Sequence, residues 1–235
     1  MIRYTLLSVF FTLITYANTI SIPKETQQLL VIVSKDWKTK YASLQRYEKD
    51  AKVWKAVGNE IEIIIGRNGM GWGLGEHTVP KDASIIKREG DGKAPAGLFR
   101  LGHGFGYNDL AIEFPYATYS NRSFHCVDDS TSKYYNQIVD VRKISRDYNS
   151  HEFMRLKNDF YKYGITVEHN PNNIAQRGSC IFIHLKKPND LASSGCSMMR
   201  EDEIKVLLKW LDKSKDPMLL QLPINEVANV KSLKL

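Results

Sequence analysis

Cysteine is scarce in this chain: 235 residues carry three, at positions 126, 180 and 196. His125, Cys126, Asp128 and Asp129 crowd together in sequence, but no second ligand cluster stands at zinc spacing, which argues against a zinc site. The glycine-dense stretch Gly66–Gly75 has no Lys-Ser/Thr behind it and no dinucleotide-binding spacing, so a phosphate loop is excluded. It reads instead as a loop whose backbone approaches something closely, or as a connection that packs Trp72 into the core. Repeats and low-complexity tracts are absent, and 15 glycines and 8 prolines are ordinary for a globular chain. A formal net charge of +7 favours anionic partners. The basic residues are scattered among acids and no recognition motif accompanies them, so nucleic acid is not an expected partner.

What is present begins with a targeting segment. Arg3 precedes an apolar run from Leu6 to Tyr16, interrupted only by serine and threonine and short for a permanent span. Small residues at Thr15-Tyr16-Ala17 predict cleavage after Ala17, leaving residues 18–235 as one domain without stable membrane insertion. Export to a periplasm or cell-wall space is the expectation. An odd number of cysteines in such an oxidising compartment leaves at least one thiol free. Cys126 and Cys180 then form a disulfide, or Cys180 is a small, reduced, buried residue near Cys196.

The coarse pattern is mainly β. Leu29–Val33 reads as an apolar strand, and Leu44–Glu48 and Val53–Val57 as a hairpin about Lys49-Asp50. Gly58-Asn59 reads as a further turn before a strand at Ile61–Ile65. Phe153, Leu156 and Phe160 stand three and four residues apart and predict a helix over 147–160. Ile165–Glu168 and Met218–Leu222 read as strands, and Ile204, Leu207, Leu208 and Leu211 as one helical face.

The chain turns on Gly178-Ser-Cys-Ile-Phe-Ile-His184 followed by Ser193-Ser-Gly-Cys-Ser197. The first reads as a buried strand closed by His184, and the second presents Cys196 among small residues ahead of a helix. An imidazole can take a thiol proton, and backbone amides at Ser194, Gly195 and Cys196 can hold a developing oxyanion.

These two segments resemble the active-site motif of the L,D-transpeptidase catalytic domain, the YkuD-like family. Pro95, Gly97 and Phe99 match a second segment of that family, with Ala94 where threonine is frequent. The Val-Asp-Asp…Tyr-Asn run around Asp128 is similar to a cleft-lining segment of one branch. The resemblance implies an L,D-transpeptidase-type β-sandwich, mainly β with some α and with peripheral helices. It implies Cys196 as acyl-accepting nucleophile and His184 as general base and acid, oriented by a backbone carbonyl. Gly195 and Ser194 would supply oxyanion amides and Ser193 would brace the turn. Asp128, Asp129, Tyr135, Asn136 and Trp72 are candidate substrate contacts. Peptidoglycan stem peptides are the expected partner, with no metal or organic cofactor. Where many members carry arginine two residues after the cysteine, this chain has Met198. Transpeptidation, hydrolysis of stems on the same scaffold, and a non-catalytic cell-wall-binding domain with Cys196 as a buried thiol all remain open at this point.

Overall fold

A computed structural model describes residues 20–231 and Leu233. The expected targeting segment therefore lies outside the described residues. In chain order the first strands are β1 (Ile20–Ser21), β2 (Gln28–Ser34), β3 (Tyr41–Asp50), β4 (Val53–Ile64), β5 (Met70–Trp72), β6 (Ala94–Gly106) and β7 (Tyr116–Thr118). Next come β8 (Phe124–Val127), β9 (Ile138–Asp140), β10 (His151–Phe153), β11 (Tyr163–Val167), β12 (Phe182–Leu185) and β13 (Ser197–Met199). Helix α1 (Glu201–Trp210), β14 (Met218–Pro223), the short helix α2 (Ile224–Val227) and β15 (Val230–Lys231) follow.

The fold is mainly β, with the helices outside the sheet. The main ladder runs β11-β12-β13-β4-β3-β2-β14-β6, and β6 pairs back onto β11, so the two layers of the sandwich join into a closed circuit. β6 makes that closure possible because it is long enough to pair with β14 near Gly97–Arg100 and with β11 from Leu101 onward. Gly97 is required there. Its φ is +141°, and a Cβ would lie 1.9 Å from the His77 ring.

β2 is buried on both faces, from Leu29 to Ile32, each such side chain contributing about 1.5–3 kcal/mol relative to exposure. α1 covers β11 and β12 through Ile204, Leu207 and Leu208. Its first turn is acidic, and the Arg200 N–H donates to the Glu203 carboxylate at 2.9 Å, satisfying an otherwise free helix-start donor.

Four expectations need correction. β3 and β4 are two long strands with the turn at Ala51, not a series of short ones. Gly58-Asn59 is no turn but part of β4, opposite a register shift between Leu44 and Arg46, and φ +69° at Gly58 accommodates the bulge. Residues 147–160 form no helix. They run as β10 and successive turns, because His151–Phe153 pair with β8 and Asn158 Oδ1 accepts from the Phe160 N–H at 3.1 Å. The strand expected from Gly178 starts only at Phe182. Cys180 lies ahead of it with φ +54°.

Two apolar clusters lie on opposite faces of β12. Ile183 and Leu185 join the main core, whereas Phe182 packs with Phe105, Tyr161, Cys126, Cys180 and Cys196 in a smaller one. Over this second cluster sits the separate three-stranded sheet β10-β8-β9. Cys126 on β8 is disulfide-bonded to Cys180, so this cap is stapled to the segment leading into β12. Among the described residues no helix is long and apolar enough to cross a membrane.

Candidate active site

The parallel pairing of β12 with β13 sets His184 opposite Met198 and Ile183 opposite Ser197. Cys196, two residues before Met198, therefore falls beside Phe182, on the face that His184 shares by the strand period of two. The Phe182 N–H donates to Cys196 Sγ at 3.3 Å, and the thiol in turn donates to the Cys180 carbonyl at 3.6 Å. Cys196 and His184 line one cavity of about 370 Å³, with Ser193, Ser194, Gly195, Asp128, Glu152 and Tyr161 among its other walls.

Small residues make the turn before Cys196 tight, and Ser193 holds it. The Ser193 hydroxyl donates to the Cys196 carbonyl at 2.5 Å and accepts from the Gly195 N–H at 3.0 Å. From outside, the Arg67 N–H donates to the Ser193 carbonyl at 2.9 Å, and the Arg67 guanidinium donates to the Ser194 hydroxyl, also at 2.9 Å. Gly66 is the close approach that the glycine-dense stretch implied: a Cβ there would lie 2.5 Å from the Gly92 carbonyl. Met198 is fully buried, so the guanidinium at this cleft comes from Arg67, 131 positions earlier in the chain (198 − 67), and no motif near Cys196 announces it.

His184 Nδ1 lies 2.9 Å from the Leu185 carbonyl. A carbonyl only accepts, so Nδ1 carries the proton and Nε2 the basic lone pair. Burial pulls the His184 pKa down to about 4, with the Leu185 hydrogen bond opposing and the Lys187 charge assisting. Burial pushes the Cys196 thiol up to about 12, helped by the Glu152 charge and opposed by the Phe182 N–H. Burial thus favours the neutral thiol and the neutral imidazole over an ion pair.

The other expected residues divide. Asp128 lines the cavity, and its Oδ1 is buried without a partner among the described residues. Asp129 does not line it. Its carboxylate accepts from the Asn149 and Thr131 N–H groups and ties two turns together, and those hydrogen bonds hold it near a pKa of about 2. Tyr135 is buried, donating to Glu89 and accepting from the Gly178 N–H at 3.1 Å. Asn136 Oδ1 accepts from the Cys180 N–H at 3.0 Å, while its Nδ2 donates to the His169 and Asn170 carbonyls. Both residues brace the backbone leading to β12 and not the cleft surface. Trp72 is a core residue, packed on Trp37 and His77. The Gly195 N–H, expected at an oxyanion, is already taken by Ser193. The Ser194 and Cys196 N–H groups make no backbone hydrogen bond among the described residues.

A family model for the L,D-transpeptidase catalytic domain (YkuD) matches residues 27–220. The chain belongs to this family. Searches of curated proteins and of solved structures found no match. The L,D-transpeptidase match spans both segments of the motif, the cap and the closed ladder. It gives the chain a catalytic domain of peptidoglycan chemistry.

Glu152 and Tyr161 are cavity residues that the sequence did not single out. The Tyr161 hydroxyl donates to Glu152 Oε2, and the ring packs edge-on against His184 with centroids 5.0 Å apart. Both lie in or beside the segment that imitates a helix by its apolar spacing.

Proposed function

We propose that the protein is an exported L,D-transpeptidase that works through a Cys196 thioester. Neutral His184 takes the thiol proton as Sγ attacks the carbonyl between the third residue of a stem peptide and its terminal D-alanine. With a thiol held near 12 and an imidazole near 4, proton transfer accompanies attack and does not precede it. The Ser194 and Cys196 N–H groups receive the oxyanion. The imidazolium then returns its proton to the leaving amine. D-alanine departs and the thioester remains. An amine of a second stem resolves it into a cross-link. Export is supported by the apolar amino-terminal segment and by the Cys126–Cys180 disulfide, a bond suited to oxidising compartments.

The observation that carries this reading is the shared cavity of Cys196 and His184, with the Ser193 turn behind the sulfur. The test is incubation with a disaccharide-tetrapeptide, followed by mass spectrometry, with Cys196→Ala as control. A cross-linked dimer with D-alanine release is expected. Tripeptide alone would make the protein a carboxypeptidase. Absence of any Cys196-dependent product would favour a binding domain.

A further inference from the structure

The cleft holds a carboxyl group that the acylation chemistry above does not use. Glu152 lines the same cavity as Cys196 and His184. Its backbone is fixed by the pairing of Glu152 with Cys126, and Cys126 is bonded to Cys180, whose carbonyl accepts from the Cys196 thiol. The disulfide thus ties the strand partner of Glu152 to the residue that accepts from the Cys196 thiol. Tyr161 engages Oε2, and Oε1 makes no hydrogen bond among the described residues.

The charges around Glu152 are unequal in what they leave free. Lys87 is paired with Asp91 at 2.7 Å, and Glu89 accepts from Tyr135 and from Ser179. Arg67 points to Ser194. That leaves Glu152 and the unpartnered Oδ1 of Asp128 at the cap side of the cavity, with Lys187 the cation facing them. Two carboxylates with open oxygens beside the nucleophile suit a primary ammonium.

We propose that Glu152 receives the acceptor amine: its carboxylate binds the ammonium of the second stem beside the thioester and takes a proton from it. This rests on the thioester reading above. The proton balance calls for such a group. D-alanine leaves as a neutral amine with the single proton that His184 took from the thiol. The acceptor arrives as RNH3+ and must lose two protons. The first passes to the Glu152 carboxylate. The free amine then attacks the carbonyl, the C–N bond forms and the C–S bond breaks. His184 carries the second proton to the departing sulfur. The products are the amide, the Cys196 thiol and a protonated Glu152, which returns its proton to solvent. Burial raises the Glu152 pKa and the Asp128 and Glu89 charges add to this, against the Tyr161 hydrogen bond and Lys187. A carboxylate so raised is a stronger proton acceptor than an exposed one.

The test compares Glu152→Gln with wild type, using a disaccharide-tetrapeptide as both donor and acceptor. D-alanine release measures acylation, and the ratio of dimer to tripeptide measures aminolysis against hydrolysis. Glu152→Gln removes a charge that raises the Cys196 thiol, so acylation should persist while the dimer ratio falls about 100-fold at neutral pH. Raising the pH should restore that ratio roughly tenfold per unit toward the amine pKa of about 10, while the wild-type ratio changes less steeply. An unchanged ratio would overturn the proposal. So would equal loss of acylation and dimer in a variant that melts like wild type, or a wild type that forms the thioester but no dimer. Should the variant not fold, the wild-type pH profile decides: aminolysis rising tenfold per unit from pH 7 also overturns it. Absence of any thioester on wild type would instead refute the underlying reading.

Discussion

Breaking the Cys126–Cys180 disulfide should weaken the fold and the site together. The two cysteines are 54 residues apart in sequence. Closing a loop of that length removes about 14 cal/mol/K of entropy from the unfolded chain, or about 4 kcal/mol at 25 °C. In a domain of this size about 1 kcal/mol shifts Tm by roughly 2–4 °C, so the bridge should be worth roughly 10 °C. The functional loss has a separate origin. Cys180 presents its carbonyl to the Cys196 thiol, and Cys126 is paired with Glu152 on the cap. A displacement of about 1 Å at such groups can lower turnover about 100-fold. The experiment is the double variant Cys126→Ser, Cys180→Ser, with thermal melting and D-alanine release measured beside wild type. Wild-type Tm and turnover in this variant would refute the reasoning, since the cap would then be held without its staple.

Cys196 in the resting protein should react slowly with iodoacetamide near neutral pH, its rate climbing about tenfold per pH unit between 7 and 10, because burial keeps the thiol near 12. A rate that levels off below pH 9 would show a thiolate already formed. Ser193→Ala removes the group joining the Gly195 N–H to the Cys196 carbonyl. A loss of about 1–3 kcal/mol in denaturant unfolding and a lower D-alanine release rate are expected, with Ser193→Thr largely restoring both; wild-type values in the alanine variant would contradict this. His184 and His169, held by burial near about 4 and about 3, bind fewer protons folded than unfolded below about pH 6.5. Their stabilisation is full above that pH and falls as the pH drops toward those values, by up to about 1.4 kcal/mol per unit for each. Tm should therefore decline as the pH is lowered from 6.5 to 4, and a flat profile would count against neutral buried imidazoles.

Some of this was legible in the sequence because it is local. β2, β14 and α1 announce themselves by apolar runs or by helical spacing, and the strand-His-turn-Cys order lies within nineteen residues (178–196). The rest depends on partners distant in sequence. Phe153, Leu156 and Phe160 have helical spacing, yet pairing of β10 with β8 decides that segment and conceals Glu152 and Tyr161. Tyr135 and Asn136 look like polar groups for a ligand. Their partners at Gly178 and Cys180 are more than forty residues away and take them out of the cleft. Arg67, just past β4, reaches the turn before Cys196 with nothing in its neighbours to mark it. The Gly195 amide is engaged only because the Ser193 hydroxyl turns back onto it.

The most direct test of the account is to trap the acyl-enzyme. Wild-type protein mixed with a disaccharide-tetrapeptide and quenched in acid should show an intact-mass gain equal to the donor less D-alanine, mapping to the peptide that contains Cys196 and absent in Cys196→Ala. D-alanine release that survives in Cys196→Ala would contradict the central claim.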